Sequence, residues 1–313
     1  MPKVSICVPA YGNPKGISRL LHSIKKQKFS DYEVVVTDDS ADDRVRETVQ
    51  RANIPGLRYQ KNEVRLGASG NWNEAVRLAE GDYIKMMHHD DWFADENSLG
   101  RFVSMLSDNP EAVLAFSGTW QVALPGTGGK EKEPEAEERG ALPERFARGI
   151  SPEHEALIAK DWRNLFLGNY IGAPSATIYR KNGEAYEGRL TWVMDVEYYM
   201  RLLKKQPRFV CTTDPLVCIG VGKDQLTERC KEDGGLNMFE YGFLFEEFGL
   251  GSEAVYREKL IGVALSYDQP YSALQKYGIL REEYEKARRA KKKEDLKFLL
   301  GVAKRKLFGG RRL

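Results

Sequence analysis

Over its first 120 residues the chain alternates short apolar runs with amphipathic ones, and this alternation narrows the fold more than any other feature. Residues 4–9, 32–37, 57–60, 83–87 and 112–116 read as strands. Between them, 15–28 places Ile17, Leu20, Leu21 and Ile24 on one helical stripe, and 44–52, 69–79 and 96–106 read as helices. Strands separated by helices pair in parallel, with the helices covering the sheet. Short strands recur at 176–179, 208–211 and 216–219, and from Leu236 onward the pattern is helical. The expected fold is α/β: a mostly parallel central sheet flanked by helices, with a helical C-terminal appendage. Three regions follow: 1–120, 121–230 and 231–313. The stretch 126–140 (GTGGKEKEPEAEERG) has no apolar period and reads as a mobile loop, either a lid or a disordered tip.

Charge is unevenly placed. Residues 286–313 hold twelve Lys and Arg against two acids, a net of +10, which leaves the first 285 residues at −8 within a total of +2. A net-acidic body argues against nucleic acid as a partner. The four cysteines show no zinc-like pairing, and Cys7, Cys211 and Cys218 sit in strand-like apolar runs as expected of core residues. No disulfide framework is apparent, which fits a reducing compartment. The N-terminus enters a strand at once, without a signal peptide. No apolar run approaches the roughly 20 residues that span a bilayer. These features lead to an expected cytoplasmic location, peripheral at the inner face of the membrane if the tail binds there.

Open α/β sheets bind ligands at the carboxyl ends of their strands. Here those ends carry Pro9-Ala10-Tyr11-Gly12-Asn13, then Asp38-Asp39-Ser40, then His88-His89-Asp90-Asp91-Trp92. Taken singly, Asp38 and Asp39 could cap a helix, and the His88–Asp91 run could be a solvated turn. Together, at equivalent ends of neighbouring strands, they point to one convergent site. Carboxylates grouped this way suit diphosphate chemistry, in which a hard divalent cation neutralises charge on a departing diphosphate. Neither GxGxxG nor GxxxxGK[ST] is present, so dinucleotide dehydrogenases and P-loop enzymes are disfavoured.

The runs VSICVPAYGNPKGISRLLHSIKKQKFSDYEVVVTDDS and LGASGNWNEAVRLAEGDYIKMMHHDDWF resemble the nucleotide-binding half of family-2 glycosyltransferases with the GT-A fold. The resemblance covers about residues 3–120, returns more weakly at 174–180 and 191–203, and fades beyond about 230. It implies an inverting, non-processive transfer of a sugar from a nucleoside-diphosphate donor, UDP being the commonest base carrier, to a saccharide or lipid-linked acceptor in bacterial surface polysaccharide or glycolipid assembly. By position, Pro9, Ala10 and Tyr11 match the base and ribose wall. Asp39 matches the acid that binds the nucleobase, supported by Asp38, and Asn71 and Asn73 lie in a segment that approaches the nucleotide. Asp91 matches the ligand of a Mn²⁺ or Mg²⁺ cofactor, while Asp90 faces the ribose or a metal-bound water. His88 stands where many members have an aspartate, and Trp72 where many have arginine. Pro174 and Ser175 match a turn that shapes the sugar pocket, and Trp192 belongs to the same acceptor half.

The stretch 191–203 (TWVMDVEYYMRLL) reads as a helix. Glu197 stands four before Arg201, the spacing of a surface ion pair. Asp195 has no basic residue at three or four positions, and it matches the family's catalytic aspartate, the general base toward the acceptor hydroxyl. Gly222 falls where a histidine near the diphosphate is common, and Lys223 either supplies charge there or is structural. The QxxRW signature of processive synthases is absent, which favours single sugar addition. In the tail, Leu296, Leu299, Leu300, Ala303 and Leu307 share a stripe, with Lys297, Lys304 and Arg305 off it. Such a helix suits an anionic membrane surface, against the alternative of packing on the body with its charges solvated. Two other functions compete: a sugar nucleotidyltransferase, disfavoured because PAYGNPKG lacks arginine, and a catalytically inactive nucleotide-sugar-binding protein.

Overall fold

The computed structural model describes residues 2–124, 145–222 and 226–308, the side chains of 226–228 and 299–308 excepted. The loop expected at 126–140 and Lys223 lie outside the described residues. The chain forms two compact units, Met1–Glu228 and Arg229–Leu313.

The first unit is built on β1 (Val4–Ala10), whose seven residues are all buried. It pairs in parallel with β2 (Tyr32–Asp38) on one side and β4 (Tyr83–Met86) on the other, and β3 (Leu57–Lys61) pairs in parallel with β2. Helix α1 (Pro14–Lys25) starts with proline in its first turn, and the Asn13 side chain accepts from the Gly16 N–H. Its predicted stripe is real: Ile17, Leu20, Leu21 and Ile24 are at most 1% exposed. Side chains of this size contribute about 1.5–3 kcal/mol each when fully buried, so the stripe alone fixes which face meets the sheet. Helices α2 (Arg44–Ala52), α3 (Gly67–Leu78) and α4 (Ser98–Ser107) follow as expected.

Beyond β4 the sheet becomes mixed. The full order is β3-β2-β1-β4-β8-β6-β9-β5, with β7 (Arg145–Arg148) alongside β6. Strand β8 (Thr177–Arg180) runs antiparallel to both β4 and β6 (Leu114–Ala123). β9 (Phe209–Val221) runs parallel to β6 and antiparallel to the short β5 (Trp92–Phe93). The two strands expected at 208–211 and 216–219 are one strand. The polar run Thr212-Thr213-Asp214-Pro215 looked like a break, but it is carried as register shifts around Gly118. Helix α5 (Pro152–Lys160) and helix α6 (Met194–Lys205) complete the unit. Cys7 and Cys218 are buried as expected, and Cys211 is half-buried.

The second unit is helical. α7 (Leu226–Glu232) leads into α8 (Gly234–Glu247), α9 (Ala254–Ser266), α10 (Ser272–Gln275) and α11 (Arg281–Phe308). Leu244, Leu250, Tyr256, Leu260, Ala264 and Leu274 form its interior. The start of α11 is tied to α9 by an Arg257–Glu283 ion pair at 2.9 Å and by Lys291 Nζ donating to the Leu265 carbonyl. After Lys291 the described side chains, through Phe298, are exposed. No helix among the described residues is long and apolar enough to cross a membrane.

Gly118 is required by the register shift: a Cβ there would lie 2.1 Å from the Thr213 carbonyl oxygen. Gly118→Ala should therefore lower stability by about 1–3 kcal/mol through overpacking. Gly188→Ala, where a Cβ meets nothing within 4 Å, should leave stability nearly unchanged. Urea unfolding of the two variants checks both.

Candidate active site

Four residues after β4 form a tight turn, His88 to Asp91, closed by the Asp91 N–H donating to the His88 carbonyl at 3.1 Å. Neighbouring backbone presses on this turn from two sides. A Cβ at Gly16 of α1 would lie 2.5 Å from the His89 carbonyl oxygen, and one at Gly220 of β9 would lie 2.7 Å from that of Asp90. Only glycine fits either wall. Arg19 of α1 donates to the Asp90 carbonyl at 2.8 Å while its guanidinium stacks on Trp92 at 4.0 Å. His89 is turned away, with Nδ1 3.3 Å from the Pro9 carbonyl.

The side chains of the turn converge. Ligand atoms of His88, Asp90 and Asp91 all lie within 4.8 Å of one another. Asp91 is 2% exposed and accepts from the Gly220 N–H at 3.1 Å and from the Ser175 hydroxyl. Burial, reinforced by the neighbouring Asp90 charge, pushes its carboxyl well above the usual range, against the pull of Ser175, Gly220 and Lys85. Asp90 is half-buried and the more open of the two acids. Burial lowers the His88 imidazole to about 4, against the Asp90 charge, so the ring is neutral at pH 7. The ring packs against Trp72 at a 42° tilt with centres 4.6 Å apart, and Trp72 meets Tyr186 edge-on at 5.1 Å. Its Nε2 is buried and has no hydrogen-bond partner among the described residues.

The expected nucleotide residues line the same sheet edge, where the register sets Ala10 beside Asp38 and Asp38 beside Lys61. Tyr11 is 48% exposed, with the Arg65 guanidinium 4.5 Å from its ring centre. Pro9 and Ala10 are buried, and the Ala10 carbonyl accepts from the Asp39 N–H and from Asn71 Nδ2. Asp38 is fully buried and accepts from the Ser40 N–H at 2.8 Å and the Tyr59 hydroxyl at 2.7 Å. Asp39 receives the N–H groups of Leu66 and Gly67 at the start of α3, and Asn62 Nδ2 at 2.6 Å. Asn71 also accepts from Asn62 at 2.9 Å. The Asn73 amide both donates to and accepts from the backbone of Tyr186, at 2.9 and 2.7 Å.

Asp195 is in the first turn of α6, half-buried, with one oxygen accepting from the Val196 N–H at 2.7 Å and the other from Asn169 Nδ2 at 2.9 Å. Asn169 in turn locks the bend at Gly172, accepting from its N–H at 2.8 Å and donating to its carbonyl at 3.3 Å. Gly172 has φ +98°, a conformation that other residues rarely adopt. Pro174 and Ser175 follow, both buried, in a 3₁₀ turn (Pro174–Ala176). Ser175 is thus less a wall of a sugar pocket than a joint: its hydroxyl accepts from the His88 N–H at 2.9 Å and donates to Asp91, and its carbonyl accepts from Lys85 Nζ. Trp192 is half-buried just before α6. The Glu197–Arg201 pair forms at 2.8 Å, but not on the surface: Glu197 is 3% exposed. The 182–187 segment covers it, with Glu184 and the Ala185 carbonyl also binding Arg201.

Lys85, Asn169, Asn62 and Arg65 carried no signal in a single sequence. Lys85 occupies a strand position that periodicity assigns to an apolar core residue, and it is indeed fully buried there, over the rings of Phe102 and Phe93. Burial pushes its ammonium well below its ordinary value, with the Asp91 charge opposing.

The donor set fits a divalent cation: two carboxylates and one imidazole, whose Nε2 is buried without a hydrogen-bond partner among the described residues, meet in one turn. Residues 5–155 match the family profile described as Glycosyl transferase family 2. The poly(ribitol-phosphate) β-N-acetylglucosaminyltransferase TarS of Staphylococcus aureus is 26% identical over 207 residues, 64% of this chain and 35% of TarS. Residues 1–349 of that protein, solved in complex with UDP-GlcNAc, superpose with a TM-score of 0.56 at 18% identity, over 93% of this chain and 92% of that one. The mannosyltransferase PcManGT from Pyrobaculum calidifontis, solved with GDP-Man and Mn²⁺, gives 0.51 at 15% identity, over 99% and 88%. The chain spans 30% to 62% of the length of the curated relatives it matches. The structural likeness shows the GT-A fold, and the stretch that matches the glycosyl transferase family 2 profile, residues 5–155, includes the strand ends that hold the acidic turn.

Proposed function

We propose that this protein transfers one sugar, with inversion, from a UDP-sugar to a hydroxyl group of a saccharide or lipid-linked acceptor in the assembly of a bacterial surface glycan. One observation carries the reading: the segment 169–175 holds Asp195 at one end, through Asn169, and the His88–Asp91 turn at the other, through Ser175. A candidate base and a candidate cation site therefore share one rigid connection. The UDP assignment draws on TarS, solved in complex with UDP-GlcNAc, and the cation on PcManGT, solved with Mn²⁺.

In this reading Pro9, Ala10, Tyr11, Asp38, Asp39 and Asn71 form the nucleotide wall, with Asn73 bracing it through Tyr186. Asp91 and Asp90 hold a divalent cation, which when bound neutralises charge on the leaving diphosphate. Asp195 takes the proton of the acceptor hydroxyl as its oxygen bonds to the anomeric carbon. The bond from that carbon to the diphosphate breaks on the opposite face, so configuration inverts. Asn169 holds Asp195 for this role, and Trp192 and Pro174 border the acceptor side. At the far end of the chain, the exposed apolar Leu296 and Phe298 among basic residues suit a contact with anionic lipid.

Four outcomes are expected. Calorimetry should show UDP binding that depends on a divalent cation and loses that dependence in Asp91→Asn; unchanged metal-dependent binding would remove Asp91 from the site. Asp195→Asn should reduce turnover by roughly 10²- to 10⁴-fold, the range for a positioned acid–base group, with UDP affinity nearly unchanged. Glu197→Gln should instead lower the melting temperature while sparing turnover, because it leaves Arg201 half-buried beside a weaker partner; a larger catalytic loss at Glu197 would move the base there. Finally, the full chain should sediment with anionic vesicles at low salt and release as salt rises and screening shortens to roughly 10 Å at 0.1 M. Failure to sediment even at low salt would refute the lipid contact.

A further inference from the structure

We propose that His88 is itself a ligand of the cation, giving the site one nitrogen and two carboxylate donors and a preference for Mn²⁺ over Mg²⁺. This rests on the reading of the acidic turn as the cation site. The chain departs here from an all-oxygen arrangement, and the geometry makes the departure useful. A ring nitrogen of His88 and carboxylate oxygens of Asp90 and Asp91 lie within 4.8 Å of one another. Donors on an ion bound at roughly 2.1 Å stand about 3.0 Å apart when adjacent and about 4.2 Å when opposite, so side-chain rotations that draw the three atoms inward close them on one ion.

Three features set the ring up as a donor. Trp72 packs against it at a 42° tilt and Tyr186 meets Trp72 edge-on, which together confine the imidazole. The His88 N–H is held by Ser175, which fixes the backbone. Nε2 is buried with no hydrogen-bond partner among the described residues, an unfavourable condition where nothing satisfies the atom. A histidine that only packed on Trp72 would gain nothing from that buried nitrogen.

Imidazole nitrogen is a good ligand for first-row transition ions and a poor one for Mg²⁺, which holds to oxygen and to near-ideal octahedral geometry. Exchanging one carboxylate for imidazole also lowers the negative charge of the shell, which weakens Mg²⁺ most because its binding is the most purely electrostatic.

The test uses the full chain with UDP and reads the metal directly. Mn²⁺ binding is followed by electron paramagnetic resonance, and electron spin-echo modulation reports whether ¹⁴N is coordinated. Mg²⁺ is measured by competition. The unaltered chain should show ¹⁴N modulation and bind Mn²⁺ at least roughly 10-fold more tightly than Mg²⁺, a step of the size that ligand-shell changes produce. His88→Asp should retain Mn²⁺ without ¹⁴N modulation and narrow the ratio, and His88→Gln, with its melting temperature checked, should lose the modulation as well. His89→Gln should keep it. Persistent modulation or an unchanged Mn²⁺/Mg²⁺ ratio in both His88 variants would overturn the proposal while leaving the cation site standing. If the unaltered chain binds neither ion with UDP, the cation-site reading fails and this proposal with it.

Discussion

A single buried lysine side chain organises the site. Lys85 Nζ, carried on β4, donates to the Ser175 carbonyl inside a shell that includes Phe102 and Phe93, and it feels the Asp91 carboxylate nearby. Removing such a group from water costs several kcal/mol unless its surroundings compensate. Here a carbonyl dipole, two ring faces and the Asp91 carboxyl offset part of that cost, and burial still holds the amine well below its ordinary value. The consequence is positional. An amine locked in the sheet interior holds the 174–176 turn against the end of β4 through the Ser175 carbonyl, and that turn then orients both His88 and Asp91. The acidic turn is thus anchored from beneath as well as pinched between Gly16 and Gly220 at its sides.

Much of the fold was legible because burial imposes periodicity. The stripe on α1 and the apolar strands β1, β2 and β4 could be read directly, since each has to present one kind of surface to the core. The mixed half was harder. β9 carries Thr212 to Pro215 in its middle, and local propensity treats that run as a break, whereas the paired strand β6 absorbs it by register shifts at Gly118. The information lies in the partner strand and is not visible from either segment alone.

The site was legible to the extent that strand order gathers strand ends. That argument brought Tyr11, Asp39 and the Asp90–Asp91 pair to one edge. It could not say which acids face outward. Asp38 is enclosed by Ser40 and Tyr59, and Glu197, whose helical spacing to Arg201 was read correctly, is covered by a segment ten or more residues away in sequence. Spacing along a helix reveals neighbours on that helix; it is silent about what packs over them. Asn169 was missed for a related reason: its meaning comes from Asp195, twenty-six positions later.

The double attachment of the 169–175 segment limits how this chain can be recombined. Enzymes of this architecture invite exchange of the acceptor half while the nucleotide half is kept, on the view that the two are separate modules. In this chain Ser175 bonds to His88, Asp91 and Lys85 around β4, while Asn169 ties the same short segment to Asp195. A seam placed between β4 and β8 would cut the donor turn from its anchor even if every strand paired correctly. A transplantable acceptor module would need to carry its own Asn-to-Ser strap, together with a lysine at the Lys85 position in the recipient sheet.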